Sequence, residues 1–237
     1  MDSLYIVIPA YNEQDNIEQV INDWYPVVER HNGGGKSRLV IIDDGSRDST
    51  YDKMKEYART RPLFIPLTKP NGGHGATVLY GYHYALVHGA DYVFQTDSDG
   101  QTLPEEFEPF WNLRNQYDMV IGWRKNRQDG FSRIVVTKTL KLVIRLCFGV
   151  SLTDANTPYR LMRTDTLKKY IGLIPVDFNL SNVFLSVIYK KKNCKIKYLP
   201  ITFRPRQGGV NSINMKKIFA IGRRAVKDFS RLNKIIN

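Results

Sequence analysis

Leu4-Tyr-Ile-Val-Ile-Pro-Ala-Tyr-Asn-Glu13 begins as an unbroken apolar run and stops abruptly at a proline, an amide and an acid. A short apolar run closed by turn residues reads as a strand covered on both faces. Runs of the same kind recur at residues 39–42, 64–67, 92–95 and 119–121. Between them, apolar residues at helical spacing predict helices over 16–29, 49–59, 75–88 and 104–114. Strands alternating with helices in this way specify an α/β fold with a mostly parallel central sheet flanked by helices. After about Gly122 the alternation loosens. There the sequence reads as a helical stretch from about Phe131, a turn at 154–158, a helix near 181–191, a strand over 195–203 and a basic C-terminal helix. The expected division is one domain over residues 1–213 and a basic amphipathic helix over 214–237.

The chain has 237 residues, 42% of them hydrophobic and 24% charged, which excludes a disordered or collagen-like polymer. Lys and Arg number 35 against 23 Asp and Glu, a net charge of +12. That field suits phosphates, nucleic acid or anionic lipid, and charge alone does not choose among them. Cys147 and Cys194 form neither a disulfide framework nor a metal-ligand spacing, so a reducing compartment is expected. The first residues lack the basic start and long apolar core of a signal peptide. The most apolar long stretch, 134–150, carries Lys138, Lys141 and Arg145 and falls short of a spanning helix. A cytoplasmic protein is expected, with any membrane contact made from one side.

In parallel α/β sheets ligands gather beyond the carboxyl ends of the strands. Four loops lie there. Asp97-Ser98-Asp99 follows the fourth run, so two carboxylates two residues apart can share one hard cation, Mg²⁺ or Mn²⁺. An acidic turn capping the next helix is the plain alternative. An EF-hand is excluded, because Thr102 stands where its glycine belongs and a strand precedes it. Asp43-Asp44-Gly-Ser46 ends the second run, and two adjacent acids there need hydrogen-bond donors. A nucleobase imide or a ribose hydroxyl would supply them. The segment Pro9-Ala-Tyr11-Asn-Glu13 offers an aromatic face and an acid to a nucleoside. Asn71-Gly-Gly-His-Gly75 allows a pyrophosphate to approach the backbone, or simply makes a turn. No G-x-G-x-x-G, phosphate-binding G-K-[ST] or G-x-S-x-G follows a strand, and four scattered histidines offer no zinc site.

Taken in order, P-A-Y-N-E (9–13), I-D-D-G-S (42–46), N-G-G-H-G-A (71–76) with Gly81 and Ala85, D-S-D-G-Q (97–101), T-P-Y-R-L-M-R (157–163) and P-R-Q-G-G-V-N-S (205–212) resemble the family-2 glycosyltransferases with the GT-A fold. The resemblance is nearest to the branch that moves a sugar from a nucleotide-sugar to a polyprenyl phosphate, the dolichyl-phosphate mannose synthase-like enzymes, and covers about residues 4–215. It implies that Pro9, Tyr11 and Glu13 line the nucleoside pocket, with Ile42 and Asp44 recognising the base. Asp97 and Asp99 would hold the metal, Gln101 would be a further ligand, and Ser98 would lie near the ribose. Arg124 and Arg206, with Arg133 as a third, would contact phosphate. The sequence departs from the pattern at His74, where lysine is common, and at 206–213, where R-x-x-G-x-S-K gains a residue and ends in Ile213. The spanning helices that many relatives append are not seen.

The expected function is inverting, metal-dependent transfer of a hexose from a UDP- or GDP-sugar to a polyprenyl (undecaprenyl or dolichyl) phosphate. The enzyme would work peripherally on an anionic membrane at its cytoplasmic face. A phosphate acceptor is already anionic and needs no general base, whereas a saccharide hydroxyl needs a carboxylate, for which Asp154 is the candidate. A metal-dependent nucleotidyltransferase, and a non-catalytic nucleic-acid or membrane module, are the competing classes. The acid-rich strand ends argue against the second, so no nucleic-acid partner is expected.

Overall fold

In a computed structural model of the chain, the described residues are 1–124 and 139–204 in full, 131–138 by their backbone, and Phe229, Leu232 and Asn233. The chain runs β1 (Leu4–Ala10), α1 (Ile17–Arg30), β2 (Arg38–Asp43), α2 (Thr50–Ala58), β3 (Phe64–Thr68), α3 (His74–Val87) and β4 (Tyr92–Gln95). It continues through α4 (Phe107–Asn112), β5 (Met119–Arg124), α5 (Phe131–Phe148), β6 (Arg160–Arg163), α6 (Thr164–Tyr170), α7 (Ser181–Lys191) and β7 (Ile196–Ile201). These strands form one sheet in the order β3-β2-β1-β4-β6-β5-β7. All neighbours are parallel except β6, which runs antiparallel to both β4 and β5. The carboxyl ends of β1, β2, β4 and β5 therefore share one edge, with Ala10 level with Asp43 and Val7 level with Gln95.

Both faces of the sheet are covered, which is why its strands are continuously apolar. Leu4, Ile6 and Ile8 point into a core built with α1, α2 and α4, and Tyr5 and Val7 into a second core built with α3, α5 and α7. Two glycines set how closely α3 packs. A Cβ on Gly81 would lie 2.3 Å from Val7 Cγ1, and one on Gly75 would lie 2.3 Å from the Phe178 carbonyl oxygen.

The five strands expected in the first half all form, and β5 runs on to Arg124. The helix expected over 104–114 is divided into a 3₁₀ turn, Pro104–Glu106, and α4. The strand expected at 195–203 is shorter at both ends. Neither β6 nor α6 was expected. Arg160-Leu-Met-Arg163 has a charge at each end and no apolar run, and it is a strand because β4 and β5 flank it, with Leu161 level with both Phe94 and Val120. The boundary at 213/214 and most of the basic C-terminal helix lie outside the described residues, although Phe229, Leu232 and Asn233 are helical.

Candidate active site

The loop after β4 is closed at its base by Thr96 and Thr102, whose hydroxyl oxygens are 2.6 Å apart. Asp97 leaves this staple with Oδ1 accepting from Gln95 Nε2 at 3.1 Å and 2.9 Å from His74 Nε2 at the start of α3. Behind it runs a buried chain of polar groups. The Tyr82 hydroxyl donates to Asn182 Oδ1 at 3.3 Å, Asn182 Nδ2 donates to Gln95 Oε1 at 3.0 Å, and Gln95 donates to Asp97. Sequence reasoning missed this support, because amides and a tyrosine spread over α3, β4 and α7 carry no local signal. His74, noted above only as a departure, is the aspartate's partner. Its ring is half exposed, and although partial desolvation works to lower its pKa, the charge and hydrogen bond of Asp97 outweigh that and raise it.

Asp99 Oδ1 accepts from the Gln101 backbone N–H at 3.2 Å. Gln101 in turn anchors the segment after β7: its Nε2 donates to the Arg204 carbonyl at 2.8 Å, and Arg204 N–H donates back to its carbonyl at 2.8 Å. Ser98 is buried within the loop. The loop carries two carboxylates and an amide, oxygen donors of the hard kind suited to Mg²⁺ or Mn²⁺. Among the described residues no three His, Cys, Asp or Glu side chains form a closed cage.

At the ends of β1 and β2 the adjacent acids have donors within the protein. Asp44 is pinned beneath the glycine loop: it accepts from Gly72 N–H at 2.9 Å and Gly73 N–H at 2.8 Å and forms a buried ion pair with Lys69. Burial pushes its pKa up, but Lys69, the Gly72 N–H and the Thr77 hydroxyl prevail and hold it below the usual carboxylate range. Its neighbour Asp43 accepts from the Thr68 hydroxyl at 2.8 Å and from Ser46 N–H at 3.1 Å. The donors that two adjacent acids require thus come from the protein itself. Ile42 is fully buried beneath α3, with its Cδ1 2.9 Å from where a Gly81 Cβ would lie, so its side chain offers no surface to a base.

Pro9 is buried in β1 level with Ile42. Glu13, 6% exposed, accepts from Asn16 Nδ2 at 2.8 Å. Tyr11, 42% exposed, presents the open aromatic face. Asn12 between them adopts positive φ and joins the two loops: its N–H donates to Ser46 Oγ at 2.9 Å and its Oδ1 accepts from Arg47 N–H at 2.9 Å.

Arg124 and Asp154, distant in sequence, form a two-pronged ion pair. Arg124 Nε donates to Asp154 Oδ2 at 2.9 Å and its terminal nitrogen to Oδ1 at 2.8 Å, while the guanidinium lies 5.0 Å from the centre of the Phe203 ring. Both side chains are about nine-tenths buried, at 9% and 10% exposure. A second arginine that sequence reasoning missed, Arg160, is wholly buried. It donates to the carbonyls of Ala155, Thr157 and Asn182 and to the Ser186 hydroxyl, so it knots the loop carrying Asp154 onto α7. Arg206 and the side chain of Arg133 lie outside the described residues.

This edge can be set beside known proteins. The chain is 27% identical over 223 residues to the polyprenol monophosphomannose synthase of Mycolicibacterium smegmatis, covering 90% of this chain and 82% of that one. It is 28% identical over 187 residues to the UDP-N-acetylglucosamine–dolichyl-phosphate N-acetylglucosaminyltransferase of Methanococcus voltae, covering 70% and 71%. The fold matches the glucosyl-3-phosphoglycerate synthase of Mycobacterium tuberculosis solved with Mn²⁺ and UDP-glucose, with a TM-score of 0.68, 16% identity and coverage of 98% of this chain and 79% of that one. The sequence profile of glycosyl transferase family 2 matches residues 5–171, a span from β1 to the start of the turn after α6 that holds the whole acid-bearing edge. With most of its length and its sheet accounted for in this way, the chain belongs to glycosyl transferase family 2 and is a glycosyltransferase.

Proposed function

We propose that the enzyme moves a hexose from a UDP- or GDP-sugar to a polyprenyl phosphate, with inversion at the anomeric carbon, at the cytoplasmic face of a membrane. The observation that carries the choice of acceptor is the Arg124–Asp154 pair. Asp154 is the carboxylate available to deprotonate a hydroxyl, and both of its oxygens accept from one guanidinium. An acceptor that arrives as an anion needs no such base. The names of the relatives in Mycolicibacterium smegmatis and Methanococcus voltae point to the same acceptor class.

In this reading Asp97 and Asp99 hold the divalent ion, with Gln101 Oε1 as a further donor, while Tyr11, Pro9 and Glu13 border the nucleoside and Ser98 the ribose. A bound Mg²⁺ or Mn²⁺ supplies Lewis-acid neutralisation of the departing diphosphate. The Tyr82–Asn182–Gln95 chain fixes Asp97 before substrate arrives, so little reorganisation is required as charge separates. Arg124, oriented by Asp154 and the Phe203 ring, places positive charge where the acceptor phosphate approaches, and Arg206 adds to it. The test is a screen of UDP- and GDP-sugars for transfer to a short polyprenyl phosphate, with and without Mn²⁺. Transfer only to saccharide hydroxyls overturns the reading.

A further inference from the structure

Val7, Gln95, Arg160, Ile121 and Tyr198 stand level across β1, β4, β6, β5 and β7. Val7 and Ile121 belong to the core covered by α3, α5 and α7, so this row crosses the buried face of the sheet, yet three of its members are polar. Arg160 is at its centre, wholly buried, and every acceptor it meets is uncharged. Its Nε and one terminal nitrogen donate to the Thr157 carbonyl at 3.0 and 2.6 Å, and that nitrogen also donates to the Ala155 carbonyl at 3.2 Å. The other terminal nitrogen donates to the Asn182 carbonyl at 3.0 Å and to Ser186 Oγ at 3.3 Å. One side of the fork thus holds residues 155–157, directly after Asp154. The other holds the first turns of α7, where Asn182 supports Gln95 and through it Asp97. Ser186 adds a second tie, with its Oγ 3.1 Å from the Ala155 carbonyl oxygen.

A tie between a loop and a helix needs no charge, and burying a guanidinium away from any carboxylate costs desolvation that a neutral amide avoids. What the guanidinium adds is five N–H donors fixed in one plane, which hold three carbonyls of two segments in a single geometry. We propose that Arg160 is a positioning residue that sets the two halves of the active site against each other. One half is the Asp97 loop, which takes the metal and the donor, and the other is the Arg124–Asp154 pair, which meets the acceptor. Arg160 touches neither substrate. Attack on the anomeric carbon needs the reacting atoms about 3 to 3.5 Å apart, and a misplacement of about 1 Å costs about 10²-fold in rate. Each half can then bind its own ligand while transfer between them is lost. The inference rests on the function proposed above.

The experiment compares the wild type with Arg160→Lys and Ser186→Ala, each shown to be folded by circular dichroism. Arg160→Lys keeps the charge and loses the planar fork. Ser186→Ala removes the second tie, leaves the guanidinium in place, and decides the matter if Arg160→Lys does not fold. Three quantities are measured with the UDP- or GDP-sugar that supports transfer: kcat for transfer to a short prenyl phosphate, hydrolysis of the nucleotide-sugar without acceptor, and Mn²⁺ affinity by electron paramagnetic resonance. Transfer is expected to fall about 10²-fold in Arg160→Lys and about fivefold in Ser186→Ala. Hydrolysis and Mn²⁺ affinity should stay within about threefold of the wild type, because the donor half is intact. Hydrolysis falling in step with transfer, or transfer at the wild-type rate in the folded variants, overturns the positioning role. A wild type that transfers nothing to the prenyl phosphate overturns the proposed function instead.

Discussion

Asp97 and Asp99 stand in a loop whose shape is set by the Thr96–Thr102 contact rather than by their own packing. Asp97→Asn and Asp99→Ala are therefore expected to leave the melting temperature close to wild type. They should lower kcat by at least about 10² to 10³, the usual cost of losing one transition-state stabiliser. Activity that survives either substitution would remove the metal assignment. Asp44 behaves in the opposite way. Asp44→Ala strands Lys69 and two backbone N–H groups, and breaking a buried pair in this way costs about 3–5 kcal/mol, readable by urea denaturation. The sign of its pH dependence follows from its lowered pKa. The contribution is fully present above the unfolded carboxylate value of about 3.9 and is lost as pH falls through the lower folded value. The wild type should lose stability in acid more steeply than Asp44→Asn. At this scale the sequence disclosed the acids but not their partners. Asp43 and Asp44 form one dipeptide, yet their donors come from Thr68, Lys69, Gly72 and Gly73 across a strand, and only the folded backbone brings those into range.

Among the elements, α3 depends on close approach. Gly81→Ala forces a methyl group against Val7 and Ile42, and overpacking of this kind costs about 1–3 kcal/mol, to be read as a fall in thermal midpoint. The contact between α7 and β4 has a functional side. Asn182→Ala leaves the Gln95 amide without its fixing donor, at a cost of about 1–3 kcal/mol. It should also lower kcat more than it weakens nucleotide binding, since Gln95 orients Asp97. Equal losses in the two would assign Asn182 to stability alone. Strands buried on both faces were legible because their apolar runs are short and end in turn residues. β6 was not, because its identity comes from the register it adopts between β4 and β5, and a four-residue segment with an arginine at each end has no periodicity to read. The buried Arg160 was hidden for a related reason: most of its acceptors are backbone carbonyls, of the loop before it and of α7, and carbonyls have no sequence signature.

Over the whole molecule, the sheet brings four strand ends to one edge, and that edge gathers Asp43, Asp44, Asp97 and Asp99 in a chain whose net charge is +12. Among the described residues no helix is long and apolar enough to cross a membrane. The parallel order of the sheet was evident from the alternation of runs, whereas the placement of Arg124 against Asp154 emerged only once β5 and the loop before β6 were folded together. The central claim is that this edge glycosylates a phosphate. It is tested most directly by offering the purified enzyme a labelled UDP- or GDP-sugar with a short prenyl phosphate and the matching prenol side by side. The result predicted is sugar on the phosphate with inverted anomeric configuration, none on the alcohol, lost in EDTA and restored by Mn²⁺. Sugar on the alcohol while the phosphate is left untouched would contradict the account.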